Sequence, residues 1–175
     1  MLFRSVSQSR YRMNKLPVYL SNNTNWTTTT LRADLMTLKK LHGVEWFIID
    51  YLKLIKDRFD GKEPERLGHA STLLHSIAQD LDMGCIMVNS MTKEGMKDAI
   101  GITGMYGGAE LDHSADFVLM LEPVDRENKP RRPDEPFRIQ AKVAKDREGD
   151  TGITLINFVR EANYPFFREE NSLPF

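Results

Sequence analysis

Val44 to Ile55 reads VEWFIIDYLKLI. Four apolar residues, Trp46 to Ile49, run without interruption into Asp50, and Tyr51-Leu52-Lys53-Leu54 follows. A continuous apolar run of this kind suits a parallel strand covered on both faces. Ending it in a single carboxylate places the charge at the carboxyl edge of an open α/β sheet, where such sheets bind ligands. That is the placement needed to hold Mg²⁺ beside nucleotide phosphates. Yet no G-x-x-x-x-G-K-[ST] loop, whose amides would cradle those phosphates, occurs in the 175 residues.

The flanking sequence extends the pattern in both directions. Leu16-Pro17-Val18-Tyr19-Leu20, closed by Ser21-Asn22-Asn23, reads as a short strand and loop. Thr27 or Thr28 caps a helix whose Leu31, Leu35, Leu38 and Leu41 keep a 3–4 spacing, and Gly43 ends it. Beyond Asp60-Gly61 a second helix is predicted from about Pro64 to Asp82, with the stripe Leu67, Ala70, Leu73, Leu74, Ile77, Ala78 and Leu81. Gly84 breaks it before an apolar strand over Cys85–Val88. Met91 to Gly108 mixes five glycines with Lys93, Glu94, Lys97 and Asp98, which suits a long loop. Phe117–Leu121 is a further apolar strand, and Asp125 to Pro136 is a charged, proline-rich connection. Phe137–Val143 and Thr154–Val159 alternate as an antiparallel pair joined through Arg147–Gly152. The expected fold class is α/β, a mostly parallel sheet flanked by helices and closed by a C-terminal antiparallel hairpin.

Bulk composition bounds the function. The chain is 41% hydrophobic and 28% charged, ordinary for a globular domain with a real core. A net charge of −1 gives no global positive field, so nucleic-acid contact requires a local patch. The single cysteine, Cys85, has no internal disulfide partner, which fits a reducing, cytoplasmic setting, and it lies in an apolar run that suits burial. No stretch is apolar for the roughly 20 residues that cross a bilayer. Met1 to Ala33 is basic and free of acidic residues, a composition similar to a mitochondrial transit peptide; the plainer reading is a surface helix. His42, His69, His75 and His113 lack metal-ligand spacing and read as structural or surface residues, and Trp26 and Trp46 read as core.

Taken in order, these segments resemble the DnaB-type replicative helicases of superfamily 4, whose motor has a RecA-like P-loop NTPase fold. Val44–Ile55 resembles the family's Walker B strand, with the D-Y-L-x-L tail at Asp50 to Leu54. Asn89-Ser90-Met91-Thr92-Lys93 is similar to its sensor stretch, with Ser90 where the family has glutamine. Met105 to Leu121 resembles the D-L-R-x-S-G…D-A-D segment, keeping Ala115-Asp116 but placing Tyr106 near the arginine. Lys145-Asp146-Arg147-Glu148-Gly149 matches the family's K-x-R-x-G, and the following Asp150-Thr151-Gly152 resembles phage helicase-primases. The likeness runs from about Leu16 to Phe167. RecA-type recombinases fit less well, because the K-x-R hairpin and D-Y-L-x-L tail suit the helicases.

The resemblance implies roles. Asp50 would be the Mg²⁺-associated carboxylate, acting through water, and Ser90 would stand at the γ-phosphate sensor. Arg147 would be an arginine finger reaching a neighbouring subunit's ATP, with Lys145 as a second cation. Lys93, Lys97, Gly104, Gly107 and Gly108 would line a channel for single-stranded DNA, contacting phosphates without reading bases. The implied cofactors are ATP and Mg²⁺, and the implied partners are single-stranded DNA and a hexameric ring of subunits bearing the phosphate loop, with no membrane. The family's phosphate loop and catalytic glutamate lie upstream of the matched segments. Residues 1–15 would form an N-terminal helical or flexible segment, 16–168 a partial motor domain and 169–175 a tail. The alternative is a non-catalytic DNA-binding or ring-modulating module.

Overall fold

The computed structural model describes residues 16–90, 113–124, 136–149, 151, 154–160 and 167–170. Its elements are α1 (Thr28–His42), β1 (Trp46–Ile49), a 3₁₀ turn (Leu52–Leu54), α2 (Glu63–Asp80), β2 (Gly84–Met87), β3 (Phe117–Pro123), β4 (Phe137–Asp146), β5 (Thr154–Arg160) and β6 (Arg168–Glu169). The expected Met91–Gly108 loop lies outside the described residues.

α1 starts and stops where its sequence directs. Thr27 Oγ1 accepts the Thr30 N–H at 3.2 Å, and Thr30 Oγ1 accepts the Thr27 N–H at 3.0 Å, so two orphan donors are satisfied reciprocally. Of the two candidate caps, Thr27 serves. Gly43 closes the helix at φ 65°, and its N–H donates to Lys39 O at 2.9 Å. α2 carries Pro64 and two acidic residues in its first turn, which suits the positive end of the helix dipole.

One core joins these helices to the parallel pair. Leu31 and Leu35 of α1, Phe47 of β1, and Leu67, Ala70, Leu74 and Ile77 of α2 are buried together with Leu52, Ile55 and Met83. The apolar stripe expected on α2 is therefore its buried face. On α1 the stripe ends early, for Leu41 is 67% exposed. Lys39 holds the far end of α2, donating to the Leu81 and Asp82 carbonyls.

The sheet departs from expectation. Among the described residues only β1 and β2 are parallel, in the register Trp46↔Gly84 to Ile49↔Met87. The other four strands form a separate antiparallel sheet in the order β3-β4-β5-β6. The described residues thus do not form a mostly parallel sheet. Phe117–Leu121, read as one more strand of that sheet, instead pairs antiparallel with β4. A bare apolar run specifies burial but not direction, and β3 takes its direction from the long strand beside it. β6 was not foreseen; two residues are too short to leave a pattern.

Two further expectations fail. Leu16–Leu20 forms no strand: Val18 N–H turns back to Leu16 O, and Leu16, Val18, Tyr19 and Leu20 stay exposed. No strand among the described residues pairs with it. Trp46 is not core but 63% exposed, on the face of the parallel pair opposite Phe47. Gly84 does more than break a helix. It is Trp46's register partner, and a Cβ there would lie 2.2 Å from the indole ring.

Candidate functional site

The first candidate centre is the carboxyl edge of the parallel pair. β1 ends at Ile49, and Val88 N–H donates to Ile49 O at 2.9 Å, prolonging the pairing by one step beyond β2. The chain then turns through the 3₁₀ turn, where Leu52 N–H donates to Val88 O at 2.9 Å. Leu52 is fully buried, so the D-Y-L-K-L tail acts here as an anchor: an apolar pin fixes the turn that carries Asp50. Asp50 itself is exposed, and its carboxylate has no partner among the described residues. Ser90 emerges, also exposed, from the adjacent β2 strand. The two predicted residues are therefore brought to one edge.

Behind that edge the chain is fastened to α1. Lys56 N–H donates to Trp26 O at 2.7 Å, and Asp57 Oδ1 accepts the Thr28 N–H at 2.8 Å, in the first turn of the helix. Arg66 of α2 donates to Ile55 O and so closes the loop from the other side. These contacts hold the strand end rigidly without using Asp50.

A hydrated divalent cation fits this edge in one respect that can be tested on its donors. Mg²⁺ takes hard oxygen ligands, keeps several waters, and is commonly held by one or two carboxylates together with substrate phosphates. An exposed carboxylate without a partner among the described residues meets the carboxylate part of that description. No cluster of three or more His, Cys, Asp or Glu side chains exists among the described residues, so an all-protein metal cage is not what they form.

The second centre is the β4–β5 turn. A bulge shifts the β3–β4 register between Val118 and Leu119, leaving Ala144 as the extra residue and setting Lys145 opposite Val118. Lys145 is half-buried. Asp146 Oδ1 accepts the Glu148 N–H at 3.0 Å, a local turn of the kind Asp and Asn side chains make. Gly149 fits against the same carboxylate, where a Cβ would lie 2.5 Å from Asp146 Oδ2. The K-x-R-x-G spacing is thus the geometry of one tight turn, and Arg147 stands at its exposed shoulder. Its guanidinium lies 2.9 Å from Asp116 Oδ1 and donates to His113 O at 2.9 Å.

Asp116 and His113 are the residues that sequence reading missed as partners of Arg147. Nothing local marks them: one contact is to a backbone carbonyl, and both lie far away along the chain. The predicted DNA-contacting residues Lys93, Lys97, Gly104, Gly107 and Gly108 lie outside the described residues.

The remaining titratable groups add little chemistry. Cys85 of β2 is half-buried, and burial pushes its thiol from the ordinary 9.0 up to about 12, so it stays protonated and unreactive. His42 stacks against Tyr19 at 4.7 Å and His69 against Phe59 at 5.4 Å, both structural placements.

The architecture places the chain in a class before any family is considered. Solved structures share its fold, two among them being informative here. One is described as an ATPase domain (TM-score 0.74, 17% identity, 89% of this chain and 56% of that one). The other is a DnaB-like replicative helicase described with its interactions with primase (TM-score 0.72, 16% identity, 89% and 38%). The chain shares the fold of these two proteins over most of its length.

The family follows from sequence. The DnaB-like helicase C terminal domain matches residues 2–167, and the chain belongs to that family. The replicative DNA helicase DnaB of Leifsonia xyli is 26% identical over 161 residues, 88% of this chain and 34% of the relative. That of Geobacillus stearothermophilus is 24% identical over 151 residues, 83% and 33%. The chain therefore spans about a third of the length of the curated relatives it matches.

Proposed function

We propose that this chain forms part of a replicative helicase motor that couples ATP hydrolysis to movement along single-stranded DNA and to duplex unwinding, within a hexameric ring. Family membership supports the motor role in general. The observation that carries the finer reading is a pair of centres: an exposed carboxylate, without a partner among the described residues, at a parallel strand's carboxyl edge, and a half-exposed arginine held at a turn.

In this reading Asp50 holds Mg²⁺ through water beside the nucleotide, and Ser90 stands at the phosphate-sensing position. Bound Mg²⁺ supplies neutralisation of charge on the β- and γ-phosphate oxygens. The 3₁₀ turn and its Leu52 pin keep the Asp50 carboxylate in place while that charge changes. Arg147, with Lys145 nearby, reaches the nucleotide of an adjacent subunit, where a guanidinium stabilises charge developing on the transferred phosphoryl group, worth about 10³–10⁵ in rate in other NTPases. Lys93, Lys97 and the glycines at 104, 107 and 108 contact the single strand's phosphates. The phosphate loop is supplied by another segment, on this polypeptide or on a partner. Open strand edges on β2 and β3 support that view, since neither has a second strand neighbour among the described residues.

The test is direct. Purified 1–175 is expected to show no ATP turnover alone, and Arg147→Ala to abolish turnover only when mixed with a subunit bearing the phosphate loop. Robust turnover by the chain alone, lost on Asp50→Ala, would overturn the division of labour. A mixed ring indifferent to Arg147 would favour the rival reading of a non-catalytic, ring-modulating module.

A further inference from the structure

Arg147 is held at three points by one short turn. Its main-chain N–H donates to Asp116 O at 3.1 Å, its Nη1 lies 2.9 Å from Asp116 Oδ1, and its Nη2 donates to His113 O at 2.9 Å. The main-chain bond fixes the root of the side chain and the two Nη contacts fix its tip. A guanidinium carries five N–H donors in a rigid fork, so these contacts leave three without a partner among the described residues. The Arg147 side chain remains 50% exposed. The arrangement is a held fork with spare donors, not a buried structural arginine.

The turn that does the holding is itself anchored. Ser114 Oγ donates to Ser71 Oγ at 3.2 Å, and both hydroxyls are buried, Ser71 completely. Ser71 in turn donates to Gly68 O at 2.7 Å within α2. The Ser114 hydroxyl thus ties the backbone of residues 113–116 to α2, and the same short stretch of backbone carries the His113 carbonyl and the Asp116 carboxylate that meet the guanidinium. Stability alone gives a poor account of the ion pair at its end. Asp116 is 64% exposed and Arg147 50%, so water screens the pair and its contribution to folding is small. Orientation is what such a pair supplies.

We propose that Asp116 is a positioning residue for Arg147, its carboxylate and the His113 carbonyl presenting the guanidinium in one fixed outward pose to a polyphosphate from a neighbouring subunit. This rests on the reading of Arg147 as a finger acting in trans. A long flexible side chain must otherwise lose its rotamer freedom at the moment of contact, and a pre-set fork loses less. The carboxylate does not close the site, because the unpaired N–H groups remain for the incoming oxygens.

Two measurements test the proposal. In the full chain with ¹⁵N-labelled arginine, rotation about the Arg147 Cζ–Nη bonds is expected to be hindered, freed by Asp116→Ala, and still hindered in Asp116→Asn, which keeps an acceptor oxygen. Free rotation in the unmodified chain would overturn the cradle. In rings mixed with a subunit bearing the phosphate loop, Asp116→Ala is expected to lower kcat for ATP by about tenfold to a hundredfold with KM little changed, and Asp116→Asn to restore most of it. In an Arg147→Lys background the Asp116→Ala penalty is expected to vanish, since lysine cannot be gripped as a fork; an undiminished penalty would mark Asp116 as merely structural. If Arg147→Ala abolishes turnover while Asp116→Ala does not alter it, the positioning role falls and the finger stands. If Arg147→Ala is silent, the finger reading itself falls.

Discussion

Replacing Leu52 by alanine separates what the D-Y-L-K-L tail does from what Asp50 does. Leu52 is 0% exposed, one of the largest fully buried side chains in the core. Its backbone is tied on both sides: its N–H donates to Val88 O at 2.9 Å, and its carbonyl accepts the Ile55 N–H at 3.1 Å. Neither bond is lost on truncation, so the turn has little freedom to collapse into the space vacated. Buried leucine-to-alanine changes cost about 2.7–5.0 kcal/mol, rising with the cavity that remains. We expect about 3 kcal/mol here. For a domain of this size each kcal/mol moves Tm by about 2–4 °C, so the midpoint should fall by about 6–12 °C. The assay is thermal unfolding followed by far-UV circular dichroism, with Asp50→Ala measured alongside. Asp50 is exposed and without a partner among the described residues, so its loss should change stability by less than about 0.5 kcal/mol. A Leu52→Ala midpoint within about 2 °C of the parent, or an Asp50→Ala drop as large as that of Leu52→Ala, would refute the assignment of anchor and ligand to these neighbours.

Gly84→Ala puts a methyl group where the Trp46 indole lies, 2.2 Å from its nearest ring atom, so the ring must swing off β2; a loss of about 1–2 kcal/mol is expected. Introduced into Trp46→Ala the same change should cost almost nothing, and an equal cost in both backgrounds would show that the ring is not what the glycine accommodates. Burial raises the Cys85 thiol from 9.0 to about 12, so its folded pKa lies above its unfolded one. Its contribution to stability is complete below about pH 9 and is lost as pH rises toward 12; a Cys85→Ala chain should show a flatter decline across that window in urea titrations, and an identical decline would refute the assignment. Amide hydrogen exchange at the outer edges of β2 and β3 should be fast in the isolated chain and slow when a subunit bearing the phosphate loop is added; unchanged exchange would argue that these edges stay open.

Sequence pattern located the helices and the β4–β5 pair, for physical reasons that can be named. The α1 boundaries followed from Thr27 and Gly43, each of which satisfies backbone groups at a helix end. The α2 stripe was legible because one face is buried, and its spacing survives without knowledge of the partner. The β4–β5 pair showed its alternation, though β4 runs on to Asp146, beyond the Val143 at which the pattern ends. Direction was not legible. Val118 and Ala141 are buried in the same sheet, yet nothing in Phe117–Leu121 distinguishes an antiparallel strand from a parallel one. Exposure misled at Trp46 and Leu41, large apolar residues that stay on the surface here. Asp50 and Arg147 stand in stretches whose pattern is visible in sequence, whereas the Asp116 and His113 contacts of Arg147 depend on the fold bringing distant residues together.

The placement of the exposed apolar residues bears on how the motor reading should be understood. Trp46, Ile48 and Ile86 share one face of the parallel pair and are 63%, 64% and 47% exposed, while Phe47 on the other face is buried. Continuous apolar strands of this kind are the mark of sheets covered on both sides, and here α1 and α2 pack with the buried face alone. On the antiparallel sheet, Phe117, Leu119 and Leu121 of β3 are exposed as well, along the strand that has β4 as its only neighbour among the described residues. Large bare apolar surface beside open strand edges is a liability that proteins cover. One added segment that pairs with β2 and shields Trp46 and Ile48 would also lie next to the carboxyl edge where Asp50 has no partner among the described residues.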